Sequence, residues 1–373
     1  MIYEWFLIGL PVVFLLGWFA ARLDIRHIRK TAGELPRAYL HGLSHLLRGE
    51  KNRALDWFLR AQPLDPESAE LQFAIGELLR TRGEHRRALK THLALCERES
   101  LGAENRLRAR WELACDYFQM GFFDLAEKHA APLAEPENTG YRELAGDMLL
   151  DICQRANDYE RALAVLDNMP IDASLIRRRA RAHLLCELAA RDRENAEQLL
   201  TDAHTTDGRC ARANLLLGGI AMAAGRHEDA AKYYREIEGQ NTDYLWCAVP
   251  GVMAAAKACG REETGDEIIL SWLKAHPSPM LFDAVYRQLS ACGRAKDLAM
   301  DGICSGIGLL PVAAWAGEQL RTADDSKRDF WKALERTVAG GGWRCDNCDY
   351  QTGDFVWQCH NCLSWESFRH QPR

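Results

Sequence analysis

An all-α superhelix of stacked helix pairs, carrying one membrane-spanning helix at its N-terminus and a small metal-binding module at its C-terminus, is the fold class the sequence predicts. Three observations carry that expectation: a repeat every thirty-four residues through the middle of the chain, an uncharged run from Trp5 to Ala21, and two C-x-x-C pairs near the end. The 373 residues, 47% hydrophobic and 27% charged, are enough for two or three domains. The expected division is a transmembrane anchor over 1–21, a juxtamembrane linker over 22–34, repeats over 35–310, terminal helices with a glycine hinge over 311–342, and the metal module over 343–373.

The N-terminal run lies between Glu4 and Arg22, and its seventeen residues would span about 25 Å as a helix, the short end of a bilayer crossing. Trp5 and Trp18 sit near its ends, where amphipathic rings favour the interface, and Pro11 is tolerable within a membrane helix. Arg22, Arg26, Arg29 and Lys30 follow at once, so the positive-inside rule places the first few residues outside and the long C-terminal part in the cytoplasm. A cleaved signal peptide would carry Lys or Arg before the apolar run, and none is present.

From about Leu35, Gly42, Gly49, Ala54, Phe58, Ala61 and Pro66 fall in the tetratricopeptide pattern of small, small, small, aromatic, small, proline. Gly76, Gly83 and Ala88 repeat the first three thirty-four residues on. Gly121 with Ala126, Asn157 with Ala162, Arg191 with Ala196 and Gly225 with Ala230 mark later copies, the one at Arg191 being weaker. Degenerate copies follow around Gly260 with Pro277 and around Gly293. The small residue of each first helix lets its partner helix approach, and the glycine supplies the left-handed turn between them. One such pair cannot cover its own apolar face, so the pairs must stack, leaving a concave groove. Pro311 to Val338 reads as a terminal helix pair, with Gly340, Gly341 and Gly342 as the hinge.

Cys345 and Cys348, then Cys359 and Cys362 after ten intervening residues, have the spacing of one tetrahedral ion held by four thiolates. Four sulfurs leave no open position, so such a site is structural. A dithiol oxidoreductase would need one pair opening a helix, and neither pair has that setting. Trp343, Tyr350, Phe355, Trp357, Trp365 and Phe368 supply a miniature core for a module too small to fold without its metal. Zinc is favoured; iron also fits four thiolates and would give electron transfer, but nothing else in the chain looks like a redox partner. Nine further cysteines, scattered singly, suit small buried hydrophobes kept reduced in a cytosol.

The net charge of −6 and pI near 6.1 argue against nucleic-acid binding, which draws on clustered Lys and Arg. No phosphate-binding loop, nucleophile elbow, zincin motif or dinucleotide turn is present. His92, His183, His204 and His227 are isolated histidines of the kind that are far more often surface or packed residues than catalysts, so no catalytic site is expected and the protein is read as a non-enzyme. The first helices of the repeats place Arg108, Trp111 and Phe118, then Arg178 and Arg181, then Arg212, toward the groove. Arginines beside aromatic surface suit a partner segment bearing carboxylates or a free C-terminus. The other reading of the run from Arg177 to Arg181 is a solvated face paired with nearby Asp and Glu.

With these three parts together, the chain resembles the lipopolysaccharide assembly protein B family over essentially its whole length. The most specific segment runs from Trp343 through Cys345, Cys348, Trp357, Cys359 and Cys362 to Trp365, similar to that family's rubredoxin-like ending. Two residues depart from the pattern: Asp349 stands where such knuckles usually have Gly, and His360 where they often have Pro. The resemblance implies an inner-membrane adaptor that sets lipopolysaccharide synthesis, promoting degradation of the LpxC deacetylase by the membrane protease FtsH, with an inner-membrane lipopolysaccharide-sensing protein as antagonist. The partners so implied are FtsH, LpxC, that sensor and the lipid bilayer, and the ligand role falls on Cys345, Cys348, Cys359 and Cys362. The alternative from the residues alone is a rubredoxin-like electron carrier with a repeat docking domain.

Overall fold

The computed structural model describes residues 37–372 apart from 139, 170–173, 292, 294–297, 308–309, 323–327 and 334–340. Helices α1 (37–47), α2 (Lys51–Ala61), α3 (Ala69–Thr81), α4 (His85–Cys96), α5 (Ala103–Gln119), α6 (Phe123–Ala130) and α7 (Arg142–Arg155) come first. They are followed by α8 (Tyr159–Asp167), α9 (Leu175–Arg191), α10 (Ala196–Thr206), α11 (Ala211–Ala223), α12 (His227–Gln240) and α13 (Leu245–Ala258). Next are α14 (Glu262–Ala275), α15 (Pro279–Ala291), α16 (Leu298–Cys304) and α17 (Leu310–Thr322), and residues 328–333 are helical as well. Three short strands close the chain: β1 (Gly341–Cys345), β2 (Gln351–Thr352) and β3 (Phe368–Pro372). The fold divides into two compact units, residues 1–152 and 153–373.

In both units consecutive helices pair as the repeat demands. Gly49, Gly83, Gly121, Gly225 and Gly260 all have φ between 68° and 85°, and Asn157, the non-glycine member of the series, has φ 55°. The turns share one hydrogen-bond pattern: the amide after the left-handed residue donates to a carbonyl five residues back. Glu84 donates to Leu79 at 2.9 Å, Asp158 to Cys153 at 2.9 Å and Arg226 to Ala221 at 2.8 Å. The weaker copy at Arg191 closes differently. Lacking a residue that tolerates positive φ, it leaves the helix through Asp192, whose carboxylate accepts from the amides of Glu194 and Asn195 at 3.1 and 3.3 Å.

Five of the six repeat alanines, Ala54, Ala88, Ala126, Ala162 and Ala230, are wholly buried, and Ala196 nearly so. Opposite them the small residue of the first helix lies under a ring from the second. A Cβ on Gly42 would strike the Phe58 ring, one on Gly76 the His92 ring, and one on Gly218 would come within 2.5 Å of Tyr234. Tyr234 is held from its other side by Gly251, again with 2.5 Å to a notional Cβ, so the ring has no direction in which to yield. Gly218→Val is therefore expected to destabilise the protein by about 1–3 kcal/mol through overpacking. A urea midpoint equal to that of the parent protein would count against this packing.

The first unit also buries charge. Asp116 accepts from Arg80 at 2.9 Å and lies 2.6 Å from His92 Nδ1, while Arg80 reaches Glu112 at 2.5 Å. His92 thus has a carboxylate neighbour that helical spacing hides, because Asp116 comes from the next repeat.

The membrane address is corrected by the structure. Among the described residues no helix is long and apolar enough to cross a membrane; α5 and α9, of 17 residues each, carry several charges and bury one face against neighbours. An inner-membrane, single-pass placement with the repeats and module on the cytoplasmic side is accordingly not supported. The run Trp5–Ala21 and the linker after it lie outside the described residues. Gly341 and Gly342, expected in the hinge, instead begin β1 and pair with Pro372 and Gln371.

Candidate metal centre and its seat on the repeats

Strand β1 is central in a three-stranded antiparallel sheet, with β2 on one side and β3 on the other. Its last residue, Cys345, pairs with Phe368 and opens the first knuckle. The two knuckles are built alike. Asp349 N–H donates to Cys345 O at 3.0 Å, and Leu363 N–H donates to Cys359 O at 2.9 Å. Asp349 has φ 60° and Leu363 φ 57°, so both follow the second cysteine of their pair in the left-handed conformation. Asp349 takes that geometry without glycine, and its carboxylate accepts from Arg344 Nη2 at 2.6 Å and Nε at 2.9 Å.

These turns bring all four Sγ atoms within 4.8 Å of one another. Cys345 lies 3.6 Å from Cys362 and Cys348 lies 3.6 Å from Cys359. Zinc–sulfur bonds of about 2.3 Å at a tetrahedral centre put sulfurs about 3.8 Å apart, whereas a disulfide needs about 2.05 Å. The donor set therefore fits one four-coordinate metal ion and no disulfide. Asn347 Nδ2 donates to Ser364 Oγ at 3.0 Å, which leaves the serine hydrogen free for Cys362 Sγ at 3.3 Å. Burial raises the Cys362 thiol, but hydrogen bonds from Ser364 and Asn347 outweigh it and bring it down to about 6. Cys359 is pushed up to about 12, by burial first and then by its sulfur neighbours Cys348 and Cys362. An incoming ion displaces the protons that its thiol ligands carry.

Only part of the aromatic set serves the module's own interior. Trp343, Phe368, Cys345 and Cys359 form its core, joined by Trp246 and Met280 from the repeats. Trp365 stacks on the His183 ring at 4.8 Å and 5°, and Trp357 lies 4.8 Å from Tyr244. Trp246 meets Phe355 edge-on at 5.3 Å. Polar contacts fix the register of this seat. Gln154 Oε1 accepts from Trp365 Nε1 at 3.0 Å and from Gln358 Nε2 at 2.6 Å, and Arg369 pairs with Asp243. His183 Nε2 lies 3.1 Å from Glu366 Oε1. Gln154, His183, Tyr244 and Trp246 escape sequence reasoning because each is a single residue in a helix or helix start, facing a partner about one to two hundred residues away. The signal available was the surplus of rings in so small a module.

The groove candidates fall into different surroundings. Arg108 reaches Glu70 at 2.8 Å and lies over the Phe73 ring at 4.3 Å, and Trp111 is 6.2 Å from Tyr141. Phe118 packs edge-on against Phe123 at 5.5 Å. Arg181 is paired with Asp167 and Arg178 is half-buried. Arg212 holds Glu187 at 2.8 Å and lies 5.8 Å from the Trp357 ring, so its neighbour is the chain's own module.

Comparisons with known proteins agree with this architecture. A tetratricopeptide repeat model matches residues 186–244. Lipopolysaccharide assembly protein B of Escherichia coli strain K12 is 24% identical over 402 residues, covering 96% of each chain. The protein of that name in Haemophilus influenzae is 27% identical over 387 residues, again covering 96% of each. Among solved structures, that of Naa15/Naa10 bound to HypK-THB matches with TM-score 0.45 and 18% identity, over 84% of this chain and 51% of that one. Yeast Tom70 matches with TM-score 0.38 and 10% identity, over 79% of this chain and 75% of that one.

Proposed function

We propose that this chain, a whole-length relative of lipopolysaccharide assembly protein B, is a non-catalytic adaptor in lipopolysaccharide assembly. The observation that carries the reading is the extent of the similarity: 96% of both chains takes in the helix pairs and the C-terminal module together, not the repeats alone. Stacked helix pairs of this kind present side chains along a continuous face, which suits holding a peptide segment rather than transforming a small molecule. The finer mechanism proposed is delivery of the LpxC deacetylase to the protease FtsH, with a lipopolysaccharide-sensing protein as antagonist. Arg108 and Trp111 in the first unit, and Arg178 and Arg181 in the second, are the residues proposed to meet carboxylates of such a partner; Arg212 is the remaining candidate, turned toward the module.

The four-cysteine site is proposed to hold zinc through Cys345, Cys348, Cys359 and Cys362 as a structural ion. A colourless purified protein is expected; a red protein that bleaches reversibly on reduction would indicate iron and the electron-carrier reading. The adaptor role is tested by adding the full-length chain to FtsH and LpxC and following LpxC by immunoblot. Faster loss of LpxC is expected, reduced severalfold by Arg108→Glu with Trp111→Ala. An LpxC half-life indifferent to the chain would remove the proposed mechanism.

A further inference from the structure

Beside the four-cysteine site, three more donors converge from three different segments. His183 on α9 is wholly buried, Cys210 at the N-cap of α11 is 1% exposed, and Glu366 near the end of the module is 9% exposed. A ring nitrogen, the Sγ and a carboxylate oxygen of these residues all lie within 4.8 Å of one another. His183 Nε2 faces Glu366 Oε1 at 3.1 Å, and Nδ1 has no hydrogen-bond partner among the described residues. Glu366 reaches this place from the left-handed conformation, at φ 52°.

We propose that His183, Cys210 and Glu366 form a second metal site, for zinc or a divalent cation of similar softness, that clamps the module to the repeats. Nitrogen, sulfur and carboxylate oxygen together are the donors such an ion takes, and three of them leave one further position. Cys186, wholly buried beside Cys210, lies outside this group of three donors. Charge balances as well. A thiolate and a carboxylate offset a dication, so burying the ion leaves no uncompensated charge. Arg179 Nε lies 3.6 Å from Oε2 of Glu366, the oxygen turned away from His183, and holds the carboxylate in place. The Trp365 ring stacked on His183 shields the site from water.

The full-length protein, loaded with zinc and freed of excess by gel filtration, is expected to hold about two ions per chain by elemental mass spectrometry. Cys210→Ser and Glu366→Gln are each expected to lower the count to about one. Cobalt loading gives a second readout: a one-thiolate component should add to the four-thiolate spectrum and vanish in Cys210→Ser. A single ion in the parent protein, with a cobalt spectrum unaltered by Cys210→Ser, overturns this site and leaves the four-cysteine centre standing. The parent count decides the matter even where a variant fails to fold.

Discussion

Serine at both Cys345 and Cys348 is expected to unfold residues 341–372 as a unit. Three strands of five, two and five residues bury too little surface to offset the entropy of ordering them. The proposed metal ion would supply the rest, since structural zinc sites of this type contribute about 10–16 kcal/mol of folding free energy near neutral pH. Two remaining thiols, on the far knuckle, cannot fix the geometry that four provide. The consequence reaches the repeats, because Tyr244, Trp246 and His183 lose the rings that cover them. Limited proteolysis should cut this variant within the module at low protease while sparing α2 to α6, and tryptophan emission should shift to the red. A strong chelator should produce the same pattern in the parent protein. Protection of the module without bound metal would contradict the account.

Trp365→Ala is the second large effect expected, at about 3–5 kcal/mol. The ring is 7% exposed, stacks on His183 and donates to Gln154 Oε1. Its loss opens a cavity at the seat and leaves Gln154 with Gln358 as its remaining partner there. This variant separates two roles that the cysteine variant combines. The four sulfurs are untouched, so the zinc proposed for them should be retained while the second unit melts earlier. Urea unfolding followed by circular dichroism, with zinc measured alongside, reads both. Zinc loss in step with Trp365→Ala, or an unaltered midpoint, would show that the contact does not join module to repeats as described.

Much of this was legible in the residues because it obeys local rules. The left-handed glycines, the buried alanines and the two cysteine pairs are periodic or closely spaced, and each type has one dominant physical reason to stand where it does. Asn157 was readable as a glycine substitute for the same reason, and its φ of 55° agrees. The knuckles were readable even with Asp349 in the glycine position, since the spacing of the sulfurs fixes the site. What stayed hidden was long-range. Nothing local to His183 announces Glu366, and nothing local to Gln154 announces Trp365, 211 residues on. The aromatic residues of the module read equally well as its private core, and only the tertiary arrangement shows Trp357 and Trp365 turned toward helices elsewhere. Arg212, a groove candidate by its spacing, lies 5.8 Å from the Trp357 ring, a neighbour that nothing local announces.

The last strand emerges from the ribosome after every helix it touches. Arg369 and Trp365 complete contacts with Asp243 and Gln154, residues made more than a hundred positions earlier, so the second unit reaches its final state only after residue 369 has emerged. Until the module has emerged, a patch of bare rings around Tyr244 and Trp246 stays open to chaperones, and a product stopped short of it carries that patch permanently. Incomplete copies are thereby distinguishable from finished ones by their surface alone, and should be cleared faster in a pulse-chase of chains ending before residue 341.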